Sequence, residues 1–492
     1  LTRIAESMNK LHYKFKTSPY KHQLTGMGLM LNHFRRGEKE FALLMEMGCG
    51  KTKVLLDCSS YLYDNGYING ILVICPNGVK GTWKKEIEIH MADHVDRNVI
   101  IWTGQKTKKH EEELSSVFIA DKVHFNVLIM NVDAFATERG RRFADRYLMT
   151  RRALMVVDES TMIKNPTAIR TKAITKLGNL ARYRVIMTGS PVTKSPEDLY
   201  AQCNFLNHEL LGFSSIYTFR NRHCQLQRLS FGGRSFNKVT GYKNLEELNY
   251  KLKQFSYRVL KKEALDLPDQ VWMKRLVSLT TEQLDAYMQM KKFALVELQK
   301  ETLTTTSVLA QMVRLHQIVC GHLPTDNGRV IGLANNRIKE LLAILEEHGG
   351  KAIIWANYRH DIKEIEKTLL KKYGPRSVVT YYGDTPEKLR QENIQNFQEQ
   401  EEPRFFIGQP MTGGRGITLT AANLSIFYSN SYDLEIREQA EARNHRIGTE
   451  DKVTYVDLVA EGTVDEKIIY SLRNKINLAT SVLAEDIRRW LV

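Results

Sequence analysis

The sequence predicts an α/β protein of two lobes, each built on a parallel β-sheet, with a mainly helical insertion between them. Short apolar runs rich in valine, isoleucine and leucine recur through the first two hundred residues and again near the C-terminus. Strands that are buried on both faces of a parallel sheet have this character. Stretches with helical spacing separate the runs, as in a βαβ series. The length of 492 residues allows about three domains of ~150 residues.

Three segments follow from this pattern. The first lobe is predicted over residues 1–200, with strands at Phe41–Met45, Ile71–Cys75, Val127–Met130, Leu154–Val157 and Val185–Met187. Residues 201–325 form the predicted insertion, because Leu245–Phe255 and Thr281–Gln299 carry helical periodicity. The second lobe is predicted over residues 326–492, with strands at Ala352–Ala356, Ser377–Tyr382, Phe405–Ile407 and Leu424–Tyr428.

The composition favours a polyanionic partner inside the cell. Lysine and arginine number 71 against 56 acidic residues, which gives a net charge of +15. Such an excess points to nucleic acid first and to an anionic membrane surface second. No apolar run approaches the ~20 residues that span a bilayer, and we expect no signal peptide. We expect a location in the cytoplasm of a bacterial or phage-infected cell, or in the nucleus if the source is eukaryotic.

Six cysteines contain no Cys-x-x-Cys pair, so the sequence indicates neither a zinc site nor a disulfide framework.

The segment Met45–Thr52 has the composition of a phosphate-binding loop. Such a loop needs small residues whose N–H groups turn toward anionic oxygens, a lysine for the β- and γ-phosphates and a hydroxyl for Mg²⁺. These are supplied by Gly48, Cys49, Gly50, Lys51 and Thr52, although Met45 stands where the strict pattern has its first glycine. A strand before the loop and a helix after it favour nucleotide binding. The alternative is a glycine-rich turn with a solvated lysine.

Asp158 and Glu159 end a buried apolar run. Carboxylates in such a place are costly unless they meet a cation or hydrogen-bond donors. Beside a phosphate loop, Asp158 would hold Mg²⁺ and Glu159 would orient and deprotonate the attacking water. The alternative is an aspartate that only caps the next turn.

Gln23, at the start of a helical stretch, has an amide that can both donate to and accept from the adenine edge. An exposed helix start is the alternative.

Arg443 and Arg446 lie three residues apart, which would place them on one helical face. There they could stabilise charge on a γ-phosphate, which implies a composite site across a cleft, or they are solvated surface charges.

Taken together, these residues resemble the motifs of a superfamily-two helicase motor, and more narrowly the Swi/Snf family of double-stranded DNA translocases. Gly48–Thr52 resembles motif I, Cys75-Pro76 with Trp83–Glu86 resembles motif Ia, and Asp158-Glu159 resembles motif II. Thr188–Pro191 resembles motif III, Gly413–Leu419 resembles motif V, and Gln439–Gly448 resembles motif VI. The resemblance covers nearly the whole chain, from about Pro19 to Ile468.

The narrower assignment depends on Ile163–Asn165, on Arg258–Lys261 followed by Leu267-Pro268, and on Gly462–Glu466. The chain departs from the family pattern at Ser160-Thr161, where a histidine is usual, and at Thr449, where a glutamine is usual. The altered motif II implies a link to motif VI that uses other hydrogen bonds than the family's usual ones. Tyr428–Tyr432 also differs from chromatin remodellers, so the chain is more similar to the compact phage and bacterial branch.

The resemblance implies two RecA-like lobes, ATP and Mg²⁺ as cofactors, and a DNA track across both lobes. Gly416 and Gln439 would then join the ATP site, and Thr188 and Ser190 would couple hydrolysis to movement. The candidate DNA contacts are Lys80, Trp83, Lys84 and Thr418. Phosphate contacts give affinity without sequence readout, which suits a motor that steps along any sequence.

We therefore expect a DNA-stimulated ATPase that translocates on duplex DNA and remodels branched DNA or displaces bound protein. An RNA helicase is the first alternative, against which the Lys261 to Pro268 element argues. A nucleotide-gated binding scaffold is the second, against which the complete set of catalytic residues argues. Targeting would come from DNA shape or a protein partner, and a monomer is favoured.

Two further expectations concern strand separation and thiol reactivity. A strand-separating helicase needs a wedge at the junction, and no such element is evident, so we predict branch migration or fork regression. The segment Phe213–Tyr242 is where a basic hairpin would lie, with Phe231–Arg234 at its turn, although an ordinary surface turn is the favoured interpretation. Lys51 and the loop amides should make Cys49 a reactive thiolate that Mg-ATP protects.

Overall fold

The computed structural model describes residues 13–105, 107–118, 125–231, 234–299, 305–325, 329–413 and 416–483. The chain divides into two compact units, one up to Asp266 that also includes residues 477–483 and one over Leu267–Ile476, which we call the first and the second lobe. Each lobe contains one parallel sheet with apolar cores on both of its faces. The predicted fold of two parallel-sheet lobes is therefore confirmed.

The first lobe is built on seven parallel strands and carries a separate hairpin. Its strands are β1 (Glu40–Met45), β2 (Gly70–Cys75), β3 (Arg97–Ile101), β4 (Phe125–Asn131), β5 (Ala153–Asp158), β6 (Tyr183–Met187), β7 (Cys224–Phe231), β8 (Arg234–Tyr242) and β9 (Ser256–Val259). The sheet order is β3-β4-β2-β5-β6-β1-β9, and in the described part of the chain β7 pairs only with β8.

Helices and short 3₁₀ turns connect these strands. The helices are α1 (Lys21–Arg35), α2 (Lys51–Asp64), α3 (Lys80–His90), α4 (Lys108–Ser115), α5 (Glu138–Thr150), α6 (Ile169–Gly178), α7 (Asp198–Leu206), α8 (Ile216–His223), α9 (Leu245–Phe255) and α10 (Lys261–Ala264). The 3₁₀ turns are Asn77–Val79, Ser116–Phe118, Val132–Ala136 and Ser160–Ile163.

The central strands are apolar throughout because both of their faces are covered. In β1, Ala42 and Leu44 pack into the core on one face of the sheet, and Phe41 and Leu43 pack into the core on the other. Successive side chains of a strand point to opposite faces, so a strand between two cores needs apolar residues at every position. This is why the non-alternating runs of the sequence locate the sheet.

The second lobe is built on six parallel strands in its main sheet. Its strands are β10 (Gln270–Val277), β11 (His322–Pro324), β12 (Val330–Gly332), β13 (Ala352–Trp355), β14 (Val378–Tyr381), β15 (Phe405–Gly408), β16 (Leu424–Phe427) and β17 (Val453–Ala460). Its helices are α11 (Thr281–Gln299), α12 (Thr305–Cys320), α13 (Arg337–His348), α14 (Arg359–Tyr373), α15 (Glu387–Glu399), α16 (Pro410–Gly413), α17 (Leu434–Glu441) and α18 (Val464–Leu483). The main sheet has the order β10-β17-β16-β13-β15-β14, and β11 pairs with β12.

The structure divides residues 201–325 differently from the predicted helical insertion. Both predicted helices are present, as α9 and α11, but β9 joins the edge of the first sheet and β10 joins the edge of the second. Edge strands are hard to recognise because solvent-facing residues interrupt their apolar run, as Lys274 and Arg275 do in β10. The segment is therefore shared between the lobes.

The hairpin β7–β8 is the second difference, because an ordinary surface turn was the favoured interpretation there. The strands have eight and nine residues and pair antiparallel, with a bulge between Gln225 and Leu226. The predicted turn residues Gly232 and Gly233 lie outside the described residues. Within Cys224–Tyr242, the sequence contains three basic residues, Arg228, Arg234 and Lys238, and no acidic residue.

In the part of the chain that the structure describes, no helix combines the length and the apolar character that crossing a membrane requires.

Candidate active site

The phosphate-loop segment connects the end of β1 to the start of α2. Gly48 and Gly50 have φ values of 85° and 81°, in the left-handed region that glycine adopts without strain. A Cβ atom added at Gly50 would lie 2.1 Å from Nε2 of Gln23, so both backbone and space require glycine there. Lys51 and Thr52 are the first residues of α2, at the helix end that favours anions. Nζ of Lys51 donates to the Met45 carbonyl at 3.0 Å and so spans the loop.

Gln23 and His22 hold the loop from the start of α1. The Gln23 side chain is 4% exposed, accepts from the Tyr20 amide at 2.9 Å and donates to the Cys49 carbonyl at 3.3 Å. Nε2 of His22 lies 2.8 Å from the same carbonyl. The structure therefore gives Gln23 a role in bracing the loop, and its contact with adenine stays a prediction.

The expected thiolate at Cys49 is wrong. The residue is fully buried, and this burial raises the pKa of its thiol, an effect to which the charge of Glu46 adds. Lys51, Lys261 and Arg258 oppose the shift without reversing it. The loop turns the Cys49 carbonyl toward Gln23 and places its side chain in the core beneath the sheet. Cys49 is therefore a packing residue.

The carboxylate pair stands where β5 ends. Burial raises the pKa of Asp158, and the charge of Lys51 and the Trp83 indole oppose that rise. Glu159 has a φ of 49°, an uncommon conformation for a residue with a side chain. Strained backbone of this kind concentrates at functional sites. Asp158 and Glu159 therefore lie at the carboxyl edge of the sheet, where β5 ends.

Trp83 is wrong as a DNA contact. Its side chain is 2% exposed, and its indole N–H donates to Oδ2 of Asp158 at 2.9 Å. Motif Ia therefore supports the carboxylate pair from within the lobe. Among the other first-lobe candidates, Lys84 is exposed on α3, whereas Nζ of Lys80 is half-buried and lies 3.4 Å from the Trp102 carbonyl.

A relay of buried hydrogen bonds joins motif II to motif III in the first lobe. Oγ of Ser160 donates to Oε1 of Gln202 at 2.6 Å, and Nε2 of Gln202 donates to the Pro191 carbonyl at 2.8 Å. The Ser190 amide in turn donates to Oγ1 of the buried Thr188 at 3.2 Å. Ser160, which precedes the position of the usual histidine, thus connects motif II to motif III inside this lobe. No motif marks Gln202, and the sequence gives no signal for it beyond a polar residue in a buried helix.

The segment after β9 ties the same elements together. Nη1 of Arg258 donates to the carbonyls of Leu44, at 3.1 Å, and Gly189, at 2.7 Å. The Lys261 amide donates to Oε2 of Glu46 at 2.7 Å. The family-specific Arg258–Lys261 segment therefore fixes the phosphate loop and motif III to each other.

In the second lobe, the arginine pair does not lie on a helical face as predicted. Helix α17 ends at Glu441, and turns carry Arg443 and Arg446. Both guanidinium groups nevertheless reach one carbonyl, that of Ile417, at 3.1 and 3.3 Å. The turn replaces helical hydrogen bonds by tertiary ones, such as Leu419 N–H to the Arg443 carbonyl at 2.9 Å.

The remaining second-lobe candidates surround these arginines. Oγ1 of Thr418 accepts from Nη1 of Arg446 at 2.9 Å, so its hydroxyl is engaged within the lobe. Gln439 is buried, and its amide donates to Oε1 of Glu435 at 3.1 Å. This side chain therefore has a partner within α17, and its contact with ATP stays a prediction. Gly416 is exposed with a φ of 71°, and Gly414 and Arg415 of the same motif lie outside the described residues.

A phosphate loop after β1 and a carboxylate pair at the end of β5, two strands of one parallel sheet with β6 between them, define the class of P-loop nucleoside triphosphatases. A family model described as the SNF2-related domain matches residues 22–323, and one described as the helicase conserved C-terminal domain matches residues 334–448. The chain belongs to the SNF2 family of helicases and translocases.

Known proteins agree with this assignment. The chain is 26% identical to the putative ATP-dependent helicase/translocase YwqA of Bacillus subtilis, over 97% of this chain and 50% of the relative. It is 24% identical to the DNA annealing helicase and endonuclease ZRANB3 of Bos taurus, over 89% of this chain and 38% of the relative. The chain spans about half the length of the curated relatives it matches first.

A solved structure, the Sulfolobus solfataricus SWI2/SNF2 ATPase core in complex with dsDNA, is 24% identical with a TM-score of 0.42, covering 96% of this chain and 94% of that one.

Proposed function

We propose that the chain is an ATP-hydrolysing motor that moves along double-stranded DNA. The observation that carries the proposal is the meeting of three segments at one edge of the first sheet. The phosphate loop, the carboxylate pair and Thr188–Pro191 follow β1, β5 and β6, which are neighbours in the order β5-β6-β1. Because parallel strands end at the same edge, the three segments converge there.

The residues at this edge fit ATP with Mg²⁺. The hydroxyl of Thr52 and the carboxylate of Asp158 offer the oxygen ligands that Mg²⁺ prefers, and a dication would offset the burial that raises the pKa of Asp158. When bound, Mg²⁺ would neutralise phosphate charge. Lys51 would bind the β- and γ-phosphates, and Glu159 would accept a proton from the attacking water.

Two substitutions separate these roles. Glu159→Gln should lower kcat by ~10²–10⁴ because an amide cannot accept the proton, and it should leave ATP affinity near that of the unchanged protein. Lys51→Ala should weaken both binding and hydrolysis, because its phosphate contact exists before and during reaction. Nucleotide binding by fluorescence and turnover by phosphate release measure both effects. Glu138→Gln, an exposed glutamate of α5, is the control, and equal affinity losses in both variants would contradict the assignment.

Duplex DNA is the proposed track. The net charge of +15, the exposed Lys84 and the basic hairpin support binding of a polyanion. Affinity should fall by ~10³ or more between 50 and 200 mM salt if about six phosphates are contacted. ATPase rates without nucleic acid and with duplex DNA, single-stranded DNA and RNA test the choice, since fastest turnover with RNA would favour the RNA-helicase alternative.

Branch migration or fork regression is the finer proposal. Pulling a duplex by its phosphates exchanges base pairs one for one at a junction, so the pairing free energy nearly cancels. The name of one relative, a DNA annealing helicase, supports pairing rather than separation. The hairpin β7–β8 favours a second candidate function, in which the hairpin acts as a pin that separates the strands. The sequence analysis favoured an ordinary surface turn at this place.

A mobile four-way junction and a tailed duplex distinguish these candidates. We expect ATP-dependent migration of the junction and little unwinding of the tailed duplex. Arg228→Glu with Lys238→Glu should weaken junction binding several-fold, because both exposed side chains change sign. Lys109→Glu on α4, also exposed, is the matched control. Strong unwinding of the tailed duplex that this double substitution abolishes would establish the pin instead.

A further inference from the structure

Two segments of the second lobe bring together three side chains that no motif connects. His322 begins β11, directly after α12, and His360 and Asp361 lie in the first turn of α14. Thirty-eight residues separate His322 from His360 in the sequence. The fold places one ligand-capable atom of each of the three residues within 4.8 Å of the others.

The cluster is built from buried polar atoms. His322 and Asp361 are each 2% exposed, and Nδ1 of His322 lies 2.9 Å from Oδ1 of Asp361. Apart from the weak thiol donor of Cys320, no donor among the described residues reaches either Asp361 oxygen with hydrogen-bond geometry. A buried carboxylate without donors is unfavourable unless a cation compensates it. This requirement points to a ligand with positive charge.

The second imidazole, that of His360, indicates which cation the cluster would bind. The His360 ring stacks on the His322 ring with centroids 4.7 Å apart, and its Nδ1 lies 4.0 Å from Oδ1 of Asp361. An ion pair of His322 with Asp361 needs no such third group. Tetrahedral zinc at about 2.0–2.1 Å from nitrogen and oxygen holds its ligand atoms roughly 3.4 Å apart. The separations of 2.9 Å and 4.0 Å from Oδ1 of Asp361 to the two imidazole nitrogens bracket that value.

We propose that His322, His360 and Asp361 bind a transition-metal dication of the Zn²⁺ class. Imidazole nitrogen suits Zn²⁺, whereas Mg²⁺ and Ca²⁺ are held by oxygen. The His360 side chain is 27% exposed, so solvent reaches the site and a water molecule can complete four-coordination of the bound ion. The sulfur of Cys320 is not within the 4.8 Å group and is not among the ligands. This site revises the expectation that the chain holds no zinc, which considered cysteine pairs alone.

The site would fasten the end of α12 and the hairpin β11–β12 to the start of α14. Gly332 of β12 pairs with His322, and a Cβ at Gly332 would lie 3.9 Å from Nε2 of His360, so the hairpin lies against the cluster. Bound metal would therefore resist separation of these segments during unfolding. Its role is structural and separate from the candidate ATP site of the first lobe.

The test uses the full chain with Zn²⁺ and with Co²⁺ as a spectroscopic probe. After exposure to Zn²⁺ and dialysis, mass spectrometry of metals should find about one Zn²⁺ per chain, and Zn²⁺ should raise Tm. His360→Gln removes one ligand from the more exposed position, so the buried pair stays in place. It should lower Zn²⁺ affinity by more than the ~10–100-fold that loss of a supporting residue causes.

The matched control is His348→Gln, a half-buried histidine of α13 outside the cluster, and it should bind like the unchanged protein. Co²⁺ should give the intense visible absorption of a four- or five-coordinate site in the unchanged chain and lose it in Asp361→Asn. Equal Zn²⁺ content in the unchanged chain and His360→Gln would overturn the proposal. So would a chain that retains no metal and shows no Co²⁺ spectrum, which would leave an Asp361–His322 ion pair.

Discussion

The phosphate loop of the first lobe and the arginine turn of the second were predicted by the same means, from residue types at a fixed spacing. The loop has the expected form because two glycines with positive φ set it locally. The arginines lie on turns rather than on a helix, because hydrogen bonds from distant residues determine their backbone. Spacing predicts a site well where the backbone itself makes the site. It predicts poorly where side chains from other segments do.

The two regions also differ in the groups that hold their charged side chains. Nζ of Lys51 contacts a carbonyl of its own loop, six residues away. The guanidinium of Arg443 is held by the carbonyls of Gln439, at 2.7 Å, and Ile417, at 3.1 Å, and is 7% exposed. Loss of a charge should therefore affect the fold more in the second lobe than in the first.

The largest expected effect tests the arginine turn. Arg446→Ala should lower kcat by ~10³ or more if the group stabilises charge on the γ-phosphate, with little change in Tm. Arg443→Ala should lower kcat and also destabilise the lobe by about 1.5–3 kcal/mol, since it leaves the buried Gln439 carbonyl without a charged donor. Turnover and thermal unfolding measure the two effects.

The control for both variants is Arg376→Ala, whose side chain is 88% exposed. Turnover of Arg446→Ala at the level of this control would return Arg446 to a solvated surface charge.

The relay through Gln202 should give an intermediate effect. Gln202→Leu leaves the Ser160 hydroxyl and the Pro191 carbonyl buried without their partner, which costs ~1–3 kcal/mol. Because Gln202 touches neither motif's reacting groups, ATP affinity should persist while stimulation of the ATPase by DNA falls about tenfold. Ser160→Ala removes only one end of the relay and should act less. Loss of ATP affinity equal to the loss of stimulation would mean that Gln202 merely supports the fold.

The smallest effect is expected at Cys49, where the loop's backbone alone should matter. Cys49→Ala should keep the ATPase rate within about twofold, because the small side chain makes no hydrogen bond that the fold uses. Alkylation of the unchanged protein should be slow at neutral pH and accelerate only above the usual range of a thiol, since burial raises this pKa. Fast inactivation at neutral pH that Mg-ATP prevents would restore the thiolate hypothesis.

The sequence predicted much of the fold and the ATP-site motifs, for local reasons. The doubly buried strands and the glycine loop are visible because each constraint lies within a few residues. Trp83, Gln202 and the His322–Asp361 cluster were not predictable, because their partners lie 75, 42 and 39 residues away in the sequence. The edge strands β9 and β10 were not predicted, because residues that face solvent interrupt their apolar pattern.

The hairpin β7–β8 has a consequence for the handling of the protein in solution. A two-stranded sheet has two open edges, and open edges invite pairing with a second copy of the chain. The bulge between Gln225 and Leu226 disturbs one edge, and the uniformly positive charge makes two copies repel. Substitutions that neutralise Arg228 and Lys238 should therefore promote self-association in dilute salt. Sedimentation at several protein concentrations would reveal this and would show that the charges protect solubility as well as attract DNA.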